Sequence, residues 1–247
     1  MILRFALKSG LPFLGILALS LAGCHTSDFP QYPSNYREYV YVTNGGSNTV
    51  TVIDVVNLRV DRELQVGQNP VAVAASPTTK EIYVVNAGQP TGSGSLSIIN
   101  AANNSVIGNI PLHRQPVSIE VDAEGTRAYV ANSASNSISV IDLKNRRELS
   151  QLGVGEAPAA ARLTPDGKTL VVTNRQGNSV SIFDAPSLNM RAVFSGCPGA
   201  GDPVLLPDSS KAFVPCTAGH QIMAIALVRP GQLVSPGGSA QPDRLEA

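Results

Sequence analysis

Few residues in this chain have the chemistry for catalysis or metal binding, and they do not converge in the sequence. Apart from Cys24, the cysteines are Cys197 and Cys216, and the histidines beyond residue 25 are His113 and His220. A redox-active cysteine pair is commonly spaced Cys-x-x-Cys, and zinc normally takes three or four protein ligands. Neither pattern is present, so the sequence predicts no catalytic residue, no metal site and no cofactor.

A short motif that recurs at a nearly constant interval organises the rest of the chain. Its last residues lie at positions 44, 86, 132, 174 and 216, so the steps are 42, 46, 42 and 42. Repeats of 40 to 50 residues with several strands per unit predict β-propeller blades. The copies are Tyr41-Val-Thr-Asn44, Tyr83-Val-Val-Asn86, Tyr129-Val-Ala-Asn132, Val171-Val-Thr-Asn174 and the divergent Phe213-Val-Pro-Cys216.

The third repeat predicts four short antiparallel strands joined by tight turns. Alternation and turn residues place strand a at 116–121, strand b at 127–132, strand c at 137–141 and strand d at 147–154. A short polar residue follows each strand c, where its side chain is expected to bond backbone amides two residues on. These structural residues are Asp54, Asn100, Asp142 and Asp184. The extra four residues of the second repeat are expected in a b–c loop at 88–94.

These motifs resemble the YVTN-type β-propeller repeat of archaeal surface-layer proteins and bacterial exported homologues. The resemblance rests on the Tyr-Val-x-Asn anchors, the strands Asn48 to Asp54 and Asn136 to Asp142, and the Val-Gly-x-x-Pro segments at 66–70 and 154–158. It covers residues 39 to about 230 and implies an all-β propeller. A YVTN-type propeller often has seven blades, whereas this chain supplies four to five.

The sequence therefore predicts an open or incomplete propeller over residues 39–232. The first blade lacks its inner strand, and residues 233–247 are a poor strand and are predicted to form a disordered or incomplete tail. An open arc leaves an unpaired edge and an exposed apolar face. Either the chain is a fragment of a longer product, or a partner chain, such as a second copy, completes it.

The first 23 residues resemble a bacterial lipoprotein signal peptide. Arg4 and Lys8 precede an apolar run over residues 11–21, which is too short to span a membrane. The run ends in Leu-Ala-Gly-Cys24, which matches the lipobox whose cysteine is acylated. This resemblance implies export, a lipid anchor on Cys24 and, since residue 25 is not aspartate, the outer membrane. Residues 24–38 are then a flexible tether between the lipid and the propeller.

Cys197 and Cys216 are predicted to form a disulfide. Cys197 takes the place of Gly67 and Gly155 before strand a, and Cys216 takes the place of the anchoring asparagine at the end of strand b. The two positions face each other across the hairpin of strands a and b, and the envelope is an oxidising compartment.

One face of the propeller is the candidate for ligand binding. In an antiparallel blade the d–a and b–c loops lie at the same end, where propellers often bind ligands. Arg114 and Arg175 can clamp an anion there, and His113 and His220 are expected to be solvated loop residues. The candidate residues are Gln68, Asn69, His113, Arg114, Gln115, Glu156, Arg175, Gln176 and His220.

Composition excludes one class of partner and leaves two functions open. The net charge is zero and charged residues make up only 15%, so no basic face indicates nucleic-acid binding. The interpretation that the sequence favours is a lipid-anchored envelope module for binding, adhesion or scaffolding without catalysis. The alternative is a propeller lactonase-like hydrolase or a relative of cofactor-dependent oxidoreductases, since similar propellers include both.

Overall fold

The computed structural model describes residues 36–227. The chain divides into a unit over residues 1–37 and a unit over residues 38–247, and the strands named below belong to the second. The predicted leader, Cys24 and the tail at 233–247 lie outside the described residues, as do most of the tether and the last residues of the predicted propeller. Within the described range no helix is long and apolar enough to cross a membrane.

Between residues 36 and 227, eighteen strands form five antiparallel sheets, in which each strand pairs with its neighbours in sequence. We call these sheets blades 1 to 5. Blade 1 contains β1 (Tyr39–Asn44), β2 (Thr49–Asp54) and β3 (Arg59–Gln65), and blade 2 contains β4 (Pro70–Ala75), β5 (Glu81–Asn86), β6 (Ser93–Asn100) and β7 (Ser105–Arg114). Blade 3 contains β8 (Pro116–Val121), β9 (Arg127–Asn132), β10 (Ser137–Asp142) and β11 (Arg147–Gly153). Blade 4 contains β12 (Pro158–Leu163), β13 (Thr169–Asn174), β14 (Ser179–Asp184) and β15 (Met190–Ser195), and blade 5 contains β16 (Val204–Leu205), β17 (Lys211–Cys216) and β18 (Gln221–Ala226).

This architecture confirms the predicted all-β open propeller. Blades 2, 3 and 4 each have four strands, whereas blade 1 begins at strand b and lacks the inner strand a. Within residues 36–227, blade 5 has strands a, b and c. In blade 3 the predicted and observed strands agree to within one residue at every boundary. The inner strands β4, β8 and β12 lie side by side in successive blades.

Two local predictions need correction. The three aspartates after strand c also accept from amides three residues on, which the prediction omitted: Asn57 N donates to Asp54 (3.0 Å), Asn145 N to Asp142 (2.9 Å) and Ser187 N to Asp184 (3.1 Å). Asn100 accepts from the Ala102 amide, two residues on, at 2.8 Å.

The four-residue insertion in blade 2 is also only partly a loop. The b–c connection ends at residue 92, and Ser93 and Gly94 already belong to β6. Ser93 pairs with Arg114 across the sheet, so the outer strands β6 and β7 are longer than their counterparts. Backbone pairing therefore absorbs part of the insertion, because an exposed strand pair satisfies its hydrogen bonds more fully than a free loop.

The hydrophobic core of the described residues consists of four clusters, one between each pair of adjacent blades. Strand residues point alternately to the two faces of a sheet, so one blade contributes to two clusters. In blade 3, Ala128 and Val130 pack against blade 2, whereas Tyr129 and Ala131 pack against blade 4. This is why strand b of an interior blade has no polar face.

The anchoring asparagines tie strand b to strand c inside each blade. Asn86, Asn132 and Asn174 are fully buried. Their Nδ2 atoms donate to serine hydroxyls of the neighbouring strand at 2.9 Å (Ser97), 2.9 Å (Ser139) and 3.0 Å (Ser181). Asn44 makes the equivalent bond to Thr51 at 2.8 Å. A buried amide needs such partners, since leaving it unbonded is costly.

The same asparagines explain two glycines of the repeat. A Cβ placed on Gly67 would lie 2.6 Å from Asn86 Nδ2, and one on Gly155 would lie 2.8 Å from Asn174 Cγ. Blade 5 has cysteine at both places, and the predicted disulfide between Cys197 and Cys216 is confirmed, with both residues fully buried. A covalent bond thus replaces a contact in which only glycine fits.

We expect Gly155→Ala to destabilise the fold. The added methyl group overlaps Asn174, and overpacking of a filled site costs about 1–3 kcal/mol. Gly153→Ala is the matched control, because a Cβ at Gly153 meets nothing within 4 Å. Urea unfolding of both variants checks this. Equal unfolding midpoints for the two variants would show that Asn174 can move away from the added methyl group without a loss of stability.

Replacing Cys197 and Cys216 together by alanine is expected to lower the free energy of unfolding by about 3 kcal/mol, the loop-closure entropy of a ring of this size. The two cysteines are separated by 19 residues. The measurement is chemical unfolding of the double variant and of the natural chain with and without reductant. If reductant shifts the double variant as far as the natural chain, the disulfide is not the stabilising element.

Candidate functional site

The structure places the b–c and d–a loops beside each other, as the antiparallel order requires. Asn48 Oδ1 accepts from Asn69 N (2.8 Å), Asn136 Oδ1 from Ala157 N (3.0 Å) and Asn178 Oδ1 from Gly199 N (3.2 Å). These asparagines have positive φ, a conformation that asparagine and histidine adopt more readily than most residues. Their loops form a recurring hydrogen-bonded rim.

His220 takes the same turn position in blade 5, 42 residues after Asn178. Its φ is 52°, and its side chain is exposed. The backbone conformation of this turn therefore explains why a histidine occurs at position 220. No hydrogen bond of the His220 side chain occurs within residues 36–227.

His113 is not a solvated loop residue, and this prediction was wrong. It lies in β7, half-buried, with Nε2 3.1 Å from Oε1 of Glu148 in β11 of the next blade. The pair joins the outer strands of blades 2 and 3. Sequence reasoning missed it because Glu148 is 35 residues away and meets His113 only through blade packing.

The other predicted loop residues are spread along the rim. Gln115 donates from Nε2 to the Pro90 carbonyl at 3.0 Å. The remaining ones are exposed, namely Gln68, Asn69, Arg114, Glu156, Arg175 and Gln176. Arg114 lies at the end of β7 in blade 2, whereas Arg175 lies in the b–c loop of blade 4. Of the nine predicted residues, Arg175 alone lines the groove described next.

A groove of about 450 Å³ runs along the inner strands β4, β8 and β12. Equivalent positions of the three strands form its wall, because residues two apart in a strand share a face. The third positions are Ala72, Ser118 and Ala160, and the fifth positions are Ala74, Glu120 and Arg162. Arg175 and Asp202 complete the polar lining.

Three charged side chains from three successive blades meet in this groove. Arg162 Nη1 lies 3.3 Å from Glu120 Oε2, and Arg162 Nη2 lies 2.5 Å from Asp202 Oδ2. The second Glu120 oxygen accepts from the Leu163 amide at 3.4 Å. One guanidinium therefore bridges two carboxylates, and these contacts connect blades 3, 4 and 5.

Burial changes the acid–base behaviour of this cluster. Burial raises the pKa of Glu120, and the attraction of Arg162 offsets this only in part. Burial acts to lower the pKa of Arg162, but Asp202 and Glu120 outweigh it and raise the pKa. Arg162 is therefore a permanent cation, whereas Glu120 holds its proton more readily than an exposed glutamate and is the better proton acceptor.

Ser118 adds a hydroxyl to the same wall. It precedes Glu120 by two residues in β8 and is 9% exposed. Its Oγ is buried and has no hydrogen-bond partner within the described part of the chain. An unpaired buried hydroxyl is unfavourable unless a partner binds, so Ser118 is a candidate ligand contact.

The sequence contained a signal for this cluster that motif searching passed over. Glu120 and Arg162 occupy the same position of strand a, one period of 42 residues apart, in strands that are otherwise apolar. Aligning the repeats shows that two residues of opposite charge occupy the fifth position of neighbouring inner strands. Asp202 carries no such signal, because it precedes the two-residue strand β16.

Among residues 36–227 no three histidine, cysteine or acidic side chains come together in a way that could hold a metal ion. The polar groups of the groove are a carboxylate pair, two guanidinium groups and one hydroxyl. Such a set can bind an anion or a carbonyl oxygen, and Glu120 can accept a proton.

Comparison with known proteins supports the propeller fold. The profile of a family described as "Lactonase, 7-bladed beta-propeller" matches residues 39–155, which span blades 1 to 3. A comparison with curated proteins gives no significant match.

Among solved structures, Kuenenia stuttgartiensis hydrazine synthase is 23% identical with a TM-score of 0.65, covering 76% of this chain and 63% of that chain. A functionally unknown protein from Desulfotomaculum acetoxidans DSM 771 is 19% identical with a TM-score of 0.64, covering 76% and 62%. Dihydro-heme d1 dehydrogenase NirN in complex with DHE is 13% identical with a TM-score of 0.64, covering 82% and 45%. The chain thus spans less than two thirds of each structure, and at these identities the likeness concerns the fold alone.

Arg162→Met is expected to destabilise the protein more at pH 8 than at pH 5. Without the guanidinium, the pKa of Glu120 rises further above its value in the unfolded chain. The folded state then holds the proton more tightly, so its stability falls as the pH rises through this range. The pair is part-buried, so we expect a loss of about 1–3 kcal/mol at pH 8, between the values for exposed and fully buried pairs.

The measurement is urea unfolding of Arg162→Met at both pH values. Arg146→Met is the matched control, since Arg146 pairs with Glu81 at 3.1 Å and its side chain is more exposed than that of Arg162, at 40% against 29%. Its expected loss is below about 1 kcal/mol. A loss in Arg162→Met that is equal at pH 5 and pH 8 would contradict the assigned proton affinity of Glu120.

Proposed function

We propose that this chain is a lactonase-type propeller hydrolase, with its site in the groove along the inner strands. The observation that carries the proposal is Glu120, a part-buried carboxylate that lines the groove and has a raised pKa. It is also the one acidic groove residue inside the segment that matches the lactonase family, since Asp202 lies beyond residue 155. This chain spans only part of the compared propellers, so the activity is our proposal and is not inferred from those structures.

The groove chemistry is consistent with hydrolysis of a lactone ring. Glu120 takes a proton from a water molecule, and the oxygen of that water forms a bond to the ring carbonyl carbon. Guanidinium donors stabilise the resulting oxyanion, as preorganised donors do in acyl transfer. The ring C–O bond then breaks, and the proton returns to the leaving oxygen to give a hydroxy acid.

Arg175 and Arg162 divide the electrostatic roles. Arg162 is held by Glu120 and Asp202, so it fixes the orientation of the base. Arg175 is exposed at the groove, and its side chain has no hydrogen bond within residues 36–227, so it is available to the carbonyl oxygen or to the product carboxylate. Ser118 provides a further hydrogen bond from the wall.

The interpretation favoured from the sequence, a binding or adhesion module without catalysis, gains no support from the comparisons. The family match favours the alternative instead. The finer features remain our proposals and rest on sequence motifs alone. They are the YVTN-type surface-layer-like repeat and the export and lipid anchoring through Cys24.

Glu120→Gln is expected to lower kcat for lactone hydrolysis by about 10²–10⁴-fold, the usual contribution of a general base. Glutamine keeps the size and the acceptor oxygen but cannot take the proton. The assay is base consumption at constant pH with neutral and carboxylate-bearing lactones. Glu156→Gln is the control, because Glu156 lies on the exposed rim and does not line the groove, and its kcat should change less than twofold.

Calorimetry with the same lactones separates this function from the binding module. Turnover by the natural chain that Glu120→Gln abolishes supports the hydrolase. Saturable binding with no turnover by the natural chain would overturn the hydrolase and favour the binding module. Equal losses of kcat in Glu120→Gln and Glu156→Gln would show that Glu120 is not the general base.

A further inference from the structure

Every contact between blades joins two different faces. We call the side of a blade that packs on the next blade its forward face, and the side that packs on the preceding blade its backward face. In blade 3 the forward face includes Tyr129 and Ile138, and the backward face includes Val130 and Ile141. All four side chains are at most 2% exposed. The four interfaces of the chain repeat this forward-to-backward contact.

The backward face of blade 1 has no blade on it within the described part of the chain. Val42 takes the place of Val130 in the repeat, and Val40 takes the place of Ala128. Val40 is 46% exposed and Val42 is 41% exposed, whereas Ala128 and Val130 are fully buried. The residues are as apolar as their buried counterparts, so this face has the composition of an interface.

Within the described part of the chain, the forward face of blade 5 is uncovered in the same way. Ile222 takes the place of Ile138 and Val180 in the repeat, and it is 71% exposed whereas both counterparts are fully buried. Phe213 takes the place of Tyr129, which is 2% exposed, and is itself half-buried.

A turn residue of blade 1 has an exposed apolar side chain whose counterpart in blade 4 packs between two blades. Leu58 has a φ of 50° and is 86% exposed. Leu188 takes the same place in blade 4, also with positive φ, and packs into the cluster that contains Tyr129 of blade 3. The left-handed backbone belongs to the turn itself, because Asn104 and Arg146 share it at the same place in blades 2 and 3. The apolar side chain of Leu188, however, packs on the cluster between blades 3 and 4. The equivalent neighbour of Leu58 would be a residue in the position of Phe213.

We propose that two copies of this chain associate head to tail, with the backward face of blade 1 of one copy on the forward face of blade 5 of the other. Within residues 36–227, each copy has one uncovered face of each kind, and each interface between its blades joins one face of each kind. A second copy therefore supplies the matching surface, and the contact continues the existing series. Such an interface is heterologous, so it uses two different patches of the molecule.

Single charged substitutions test this arrangement in the full chain, purified in mild detergent and sized by light scattering. Val42→Asp blocks the backward face and Ile222→Asp blocks the forward face, so each variant alone should be monomeric. An equimolar mixture should form heterodimers, because it retains one intact face of each kind. Val106→Asp is the control, since Val106 is 41% exposed on the outer strand β7, away from both faces.

Three results would overturn the proposal. They are a monomeric natural chain at all concentrations, continued self-association of Ile222→Asp alone, and a mixture that contains only monomers of folded variants. Circular dichroism of each variant checks folding before sizing.

Disulfide trapping gives an answer even where an aspartate variant fails to fold. Chains with Leu58→Cys are mixed with chains with Phe213→Cys under mild oxidation. A covalent heterodimer linked through positions 58 and 213, identified by peptide mass, supports the contact. Equal yield from either chain alone would contradict it.

Discussion

The contact between blade faces is the interaction on which the rest of this structure depends. Each blade is a small sheet that is apolar on both sides, and covering both sides stabilises it. Burying one valine side chain contributes about 1.5–3 kcal/mol, and the interior strand β9 buries residues on both faces at once. The same packing sets the spacing of the inner strands, and hence brings Glu120 to Arg162.

The groove is a consequence of repetition as much as of its charges. Small residues recur at the third position of the inner strands, and they leave room along the wall. Where the repeat has alanine at the fifth position in blade 2, it has glutamate in blade 3 and arginine in blade 4. Two substitutions in one structural position thus build a charged cluster without altering the backbone. The fold tolerates them because each charge finds its partner on the next blade.

The fold was readable from the sequence because its determinants are local. Alternation, turn residues and the period of 42 located the strands of blade 3 to within one residue. The pairing of Cys197 with Cys216 was also predicted correctly, although Ala200 rather than Cys197 lies opposite Cys216 in the hairpin. The candidate site was not readable in the same way. Glu120, Arg162 and Asp202 lie on three blades, and His113 meets Glu148 across a blade boundary. Such contacts depend on how blades pack, which strand patterns do not specify.

The exchange of glycine and asparagine for two cysteines in blade 5 has a consequence for how this repeat can evolve. Asparagine at position 216 leaves no space for a side chain at position 197, by analogy with Gly155 and Asn174. A lone cysteine at either position gains no cross-link and leaves a buried thiol. In blade 4, Ser181 accepts a hydrogen bond from Asn174. Blade 5 has Met223 in the position of Ser181, and methionine is a poor acceptor. A single substitution cannot therefore convert the glycine–asparagine contact into the disulfide without passing through a less stable protein. The same holds in reverse, so the disulfide is difficult to lose by stepwise substitution.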